Sequence, residues 1–248
     1  VQFQSGVSME GFIEAYGTEE KCRDAVFQMR WPRGFECPSC GSRESSVVNS
    51  RRLYQCSLCR TQTSLTAGTI FHATKLPLTK WFLAMFLLTK SKHGISSIEL
   101  GRDLGVSQTT AWTVKHKLMQ VMLERERGQP LAGRVEADDA YIGGARHGGK
   151  RGRGATGKTP FIAAVQTDGE GRPQRIKLQK VKAFKKREVK RWAAKDLAIG
   201  DKVKTVVVTD GLPAFGGIKD RGCGHEPKIT GTGWKAAKHP AFKWVNTM

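Results

Sequence analysis

Cysteines and carboxylates are the residues of this chain whose types and spacing could do chemistry. Cys37-Pro-Ser-Cys40 and Cys56-Ser-Leu-Cys59 form C-x2-C-x15-C-x2-C, and two close thiolate pairs on two turns can surround one tetrahedral ion. The fifteen residues between the pairs suffice for a short hairpin. The segment therefore predicts a zinc ribbon, with structural Zn2+ on Cys37, Cys40, Cys56 and Cys59. A pair of disulfides or a redox motif is the alternative, disfavoured in a reducing compartment. Cys22 and Cys223 lie outside the spacing and read as ordinary buried or free thiols.

The acidic candidates stand in very basic surroundings. Glu136, Asp138 and Asp139 lie in "RVEADDAYIGG" (134–144), and Asp210 ends the apolar run "KTVVVTD" (204–210). Carboxylates on neighbouring strands can hold two Mg2+ ions about 4 Å apart, the arrangement used for in-line displacement at phosphate. Strand alternation puts Glu136 on the face of Asp138. The bland alternative is a solvated strand edge plus an Asp-Gly turn.

A third pattern, Gly152-x-x-x-x-Gly157-Lys158-Thr159, spells a phosphate-cradling P-loop. Such a loop needs a strand before its first glycine and a helix starting at Lys-Thr. Upstream, "GGARHGGKR" carries no strand residues, and downstream "FIAAVQTDG" is β-rich and reaches a turn too soon for the helix. No ATP binding is expected. The stretch reads instead as a basic loop, with Arg146, His147, Lys150, Arg151, Arg153 and Lys158 placed to grip DNA phosphates beside Asp138.

These groups must be positioned by a chain of 248 residues carrying 42 Lys and Arg against 22 Asp and Glu, a net charge of +20. The positive charge recurs at 80–92, 115–127, 146–158 and 175–204, which favours a long polyanion footprint over a basic tail. A merely soluble or ribosome-like basic surface is the alternative. No apolar run is long enough for a transmembrane helix, and the opening lacks a secretory signal; a cytoplasmic protein with no membrane partner is expected.

Residues 9–30 predict one or two short helices closed by Trp31-Pro32, and 78–94 another helix stopped at Gly94. Residues 95–127 predict two more. Ser96-Ser97-Ile98-Glu99 has capping-box order, Gly105 supplies a tight turn, and Ser107 can cap the next helix. Ala111, Val114, Leu118 and Val121/Met122 form its apolar face. Ser107, Gln108, Thr109, Thr110, Thr113, Lys115 and Lys117 are left for base edges and phosphates, as in a helix-turn-helix. The alternative is a plain helical hairpin, and Trp112 reads equally as core or contact. Beyond the linker at 128–133, strands are expected at 134–144, 161–167, 174–181 and 204–210, with a helix over 183–197. Residues 211–248 resist assignment.

In this order, the ribbon, the helix pair, "VEADDAYIGG", "GRGATGKTP", "VVVTDG" and "FKWVNT" resemble the ISXO2-like, IS1595-type insertion-sequence transposases, from about residue 10 to the last. The resemblance implies an α+β multidomain chain. Residues 1–74 would hold N-terminal helices and a zinc ribbon, 75–127 a helix-turn-helix, 128–133 a linker, and 134–248 an RNase H-like α/β catalytic domain. Asp138 and Asp210 would be the first two catalytic carboxylates of a DDE-type site using Mg2+ or Mn2+, with Glu136 and Asp139 ranking below them as ligands. The third follows the Val-Asn-Thr motif in the family, as an acidic residue or Asn. This chain stops at Met248, so the domain is expected to be incomplete at its C-terminus and the activity of this chain to be open. His225 and Glu226 are the stand-ins within 211–248.

Implied partners are double-stranded DNA, as terminal inverted repeats and target, and further copies of the chain on paired ends. The implied setting is a bacterial cytoplasm, associated with the nucleoid. A non-catalytic zinc-ribbon/helix-turn-helix regulator is the competing function.

Overall fold

The computed structural model describes residues 6–90, 94–143, 157–200, 204–229 and 239–247. The chain falls into two compact units, over 2–123 and 124–248, each with its own core.

The first unit opens with α1 (Met9–Tyr16) and α2 (Glu19–Arg30). Ser8 and Thr18 cap them by accepting hydrogen bonds from Gly11 and Lys21 N–H, which satisfies donors a helix start cannot pair internally. A three-stranded antiparallel sheet follows, β1 (Ser45–Val48), β2 (Leu53–Cys56) and β3 (Gln62–Ser64). Then come α3 (Leu78–Lys90), α4 (Ser97–Leu104) and α5 (Gln108–Arg127).

One apolar cluster joins sheet and helices. It runs from Trp31, Phe35 and the ribbon residues Cys37 and Cys56 to Trp81, Leu100, Ala111, Val114 and Leu118. Two long-range polar ties reinforce it. The Arg30 guanidinium donates to the Ser64 and Leu65 carbonyls, and the Glu19 carboxylate accepts from the N–H groups of Leu78 and Thr79 at the start of α3.

Between α4 and α5 the chain turns at Gly105, whose φ of +59° is left-handed and favours glycine. Ser96 Oγ accepts from Glu99 N–H and Ser107 Oγ from Thr110 N–H, so both helices start on serine caps. Ala111, Val114 and Leu118 are buried, but Val121 and Met122 are 43% and 53% exposed. The apolar face read across the whole second helix thus stops after Leu118, because its last two turns run past the core they would pack on.

The second unit is built on a five-stranded sheet: β4 (Arg134–Ile142), β5 (Thr159–Thr167), β6 (Pro173–Lys180), β7 (Val206–Thr209) and β8 (Gly224–Pro227). The spatial order is β6-β5-β4-β7-β8. β4, β5 and β6 form an antiparallel meander, while β7 and β8 run parallel to β4. The β5–β6 turn is tied by Asp168, whose carboxylate accepts from Glu170 and Arg172 N–H. Helix α6 (Lys186–Asp196) carries the chain from β6 to β7, and a 3-10 helix over Pro213–Arg221 connects β7 to β8. The parallel pairs β4/β7 and β7/β8 require such crossovers.

Both faces of the sheet are covered, so alternation sorts its residues into two cores. Val135, Ala137, Ile162, Ala164 and Val207 pack under Val189, Trp192 and Ala193 of α6 and under Phe215 and Ile218. Ala163, Val165 and Val208 face the other way, against Phe242 and Val245 of the C-terminal segment. Thr159 begins β5 directly after Lys158, so a strand stands where a P-loop requires a helix. Among the described residues, no helix is long and apolar enough to cross a membrane.

Candidate metal centres

The four ribbon cysteines converge from two turns. Their Sγ atoms all lie within 4.8 Å of one another, with Cys37–Cys59 at 3.5 Å and Cys40–Cys56 at 3.6 Å. A tetrahedral site with Zn–S bonds of about 2.3 Å has S···S edges of about 3.8 Å, so the residues fit Zn2+. The same distances exceed a disulfide bond by well over an ångström, and all of these cysteines are free.

The backbone has shaped the turns for thiolate. Thr61, through its side chain and backbone, pulls the Cys59 thiol down to about 6. The Ser42 backbone also favours ionised Cys40, yet the neighbouring thiols and desolvation push that group up to about 12. The proton of the group is thus held at Cys40 while Cys59 and Cys56 are drawn toward thiolate, and a bound dication would replace that proton.

The second group forms where β4 and β7 run side by side. The parallel register pairs Arg134 with Val206, Val135 with Val207 and Glu136 with Val208. Carried two residues further, that register brings Asp210, just past the end of β7, to Asp138. Carboxylate oxygens of Asp138, Asp139 and Asp210 all lie within 4.8 Å of one another, in half-buried positions. Asp138 Oδ1 accepts from Asp139 N–H at 2.8 Å, and Asp210 Oδ1 from Leu212 N–H at 3.0 Å. Hard oxygen donors of this number and spacing fit Mg2+ or Mn2+ rather than a thiophilic ion.

Asp139 thus stands in the group although sequence reasoning ranked it low. Strict alternation would send its side chain to the opposite face, yet its carboxylate comes within 4.8 Å of the other two. Its adjacency to Asp138 was the available signal.

Glu136 takes another part. It is 3% exposed on the face of Asp138, and its Oε2 accepts from Trp244 N–H at 3.0 Å and Val245 N–H at 3.3 Å. Burial pushes its carboxyl up, against these two hydrogen bonds, which pull it down. His225 and Glu226 do not join the trio: His225 Nε2 meets Thr209 Oγ1 at 2.9 Å, and Glu226 faces Lys228 at 3.8 Å.

The residues read as DNA contacts fall into several settings. Gln108, Thr109 and Thr113 line the exposed first turns of α5, but much of their polarity is committed locally. Gln108 donates to Ser97 Oγ and Thr113 to the Thr109 carbonyl. Ser107 and Thr110 hydrogen-bond each other at the helix cap. Lys115 is half-buried and donates to the Ile95 carbonyl at 2.7 Å, so its ammonium braces the loop before α4. Lys117 is exposed, its ammonium 6.0 Å from the Trp81 ring. Trp112 is half-exposed and stacks on His116. Lys158 stands half-buried before β5, whereas Arg146, His147, Lys150, Arg151 and Arg153 lie outside the described residues.

Comparison with known proteins bears on both centres. Residues 130–248 match the family model described as an ISXO2-like transposase domain, and residues 17–62 match that of a transposase zinc-ribbon domain. The chain is also similar to an uncharacterized protein in transposable element ISH50 of Halobacterium salinarum. Identity is 28% over 144 residues, covering 56% of this chain and 47% of that relative. The chain thus spans about half the length of the curated relative it matches.

Proposed function

The chain belongs to the ISXO2-like, IS1595-type transposase family, and from that premise we propose that it is a DNA transposase with a DDE-type metal site. The observation that carries this reading is the meeting of Asp138, Asp139 and Asp210 at one end of adjacent parallel strands, in a chain of charge +20. Asp138 and Asp210 hold Mg2+ or Mn2+, and Asp139 shares the group with them. Bound there, the ion supplies activation of a water or a DNA 3′-hydroxyl and polarisation of the phosphodiester it attacks.

The protein's own residues do the rest. The surrounding Lys and Arg hold the DNA backbone and offset its charge, while the half-buried setting strengthens the pull of carboxylates on a cation. In this reading the second unit is an RNase H-like domain, supported by its mixed sheet and the crossover through α6. Helices α4 and α5 act as a helix-turn-helix on terminal inverted repeats, supported by the serine caps and the left-handed Gly105. The zinc ribbon shares their core and fixes their orientation. Copies of the chain assemble on paired ends.

The test is cutting or joining of DNA carrying an element end, in Mg2+ or Mn2+. Asp138→Ala and Asp210→Ala should each lower the rate at least ~100-fold. Metal-dependent chemistry that survives both substitutions contradicts the proposal. A chain that binds end DNA specifically without any such chemistry is a regulator instead.

A further inference from the structure

We propose that Glu136 is a positioning residue for the carboxylate centre, holding the C-terminal turn against the strand that carries Asp138. This rests on the metal-site reading above.

The face of β4 that carries Glu136 and Asp138 is otherwise apolar at this point. Glu136 is paired across the sheet with Val165 and Val208, both buried, and Phe242 and Val245 complete the cluster. A carboxylate placed there loses solvation and must be compensated. Two backbone N–H groups do this, Trp244 and Val245, on the same oxygen. They belong to a helical turn in which Asn246 N–H reaches the Phe242 carbonyl at 3.1 Å. Early N–H groups of such a turn lack partners within it. Glu136 therefore caps this turn from a strand more than a hundred residues earlier.

A second tie acts on the same segment, since the Trp244 indole donates to the Gly171 carbonyl at 2.7 Å. Together they fix Val245-Asn246-Thr247 relative to Asp138, two residues along β4 from Glu136. An aliphatic side chain of similar size would pack in this cluster equally well. What it could not do is orient the turn, and that is the role the buried carboxylate fills.

The test uses the full zinc-loaded chain, with Mn2+ as probe. Two quantities are followed: hydrogen exchange over 239–247, and Mn2+ affinity by titration. Glu136→Leu should speed exchange in that segment at least ~10-fold and weaken Mn2+ binding at least ~5-fold, with β5 and β6 still protected. Glu136→Gln keeps an acceptor oxygen and should recover most of both. Wild-type Mn2+ affinity in Glu136→Leu, or a turn that stays protected in it, overturns the proposal. Should Glu136→Leu lose protection throughout the sheet, Trp244→Phe decides, because it removes only the indole tie to Gly171: faster exchange over 239–247 with weaker Mn2+ binding supports the role, and wild-type Mn2+ affinity overturns it. Asp138→Asn separates the two readings. It should abolish Mn2+ binding and leave 239–247 protected; wild-type Mn2+ affinity in that variant overturns the metal reading, and the positioning role with it.

Discussion

Charged side chains inside this protein earn their places through named partners, and Asp196 shows the physics most simply. It ends α6 at 4% exposure and meets Lys177 of β6, itself 7% exposed, at 3.3 Å. Its second oxygen is buried with no hydrogen-bond partner among the described residues. Removing one member of a buried pair strands the other charge, which typically costs about 3–5 kcal/mol, whereas replacing both by apolar groups is far milder. Asp196→Ala should therefore destabilise the second unit by about that amount in urea unfolding, and Lys177→Met with Asp196→Leu by clearly less. A double variant worse than the single would contradict this view. Asp138, Asp139 and Asp210 differ in kind: three carboxylates within 4.8 Å of one another can share one cation instead of a lysine.

Among the elements, the same logic applies to helix starts. Glu19, at the head of α2, accepts from both Leu78 and Thr79 N–H, placing a carboxylate at the positive end of α3. Loss of such a cap costs about 1–2 kcal/mol. Glu19→Ala should lower the stability of the first unit by about that much, read by circular dichroism during denaturation, and Glu19→Gln by less. Element legibility in the sequence followed local pattern. The serine caps of α4 and α5, Gly105 between them, and the period of Val189, Trp192 and Ala193 in α6 could be read directly. Strand β8 could not, because Gly224-His-Glu-Pro227 has no apolar alternation; it is defined by its parallel partner β7. The exposure of Val121 and Met122 was equally hidden, since where a core ends is a tertiary fact. So was the place of Asp139, because it depends on how the open end of β4 meets Asp210, and the anchoring by Glu136, whose partners lie at the far end of the chain.

Taken whole, the molecule pairs a strong positive charge with two chemically distinct candidate cation sites. On the proposed function, a chain of charge +20 should release counterions on binding DNA, so log affinity should fall linearly with log salt, by about 0.9 per phosphate neutralised. Filter binding over a salt series should give a slope steeper than about −4; a slope near zero would remove DNA from the account. The two cation sites follow ligand chemistry, with soft thiolates in the first unit and hard carboxylates in the second. That separation was legible in the Cys spacing and in the acidic residues of a basic chain, although the geometry joining Asp138 to Asp210 required the parallel pairing of β4 with β7.

The carboxylate group should bind a hard dication independently of the zinc ribbon. The measurement is Mn2+ titration of the zinc-loaded chain, followed by electron paramagnetic resonance, with zinc content determined in parallel. Mn2+ binding should be saturable and should disappear in Asp138→Ala and Asp210→Ala, while the zinc content stays as in the wild type. Mn2+ binding that persists in both variants, or that is gained only as zinc is lost, would contradict it.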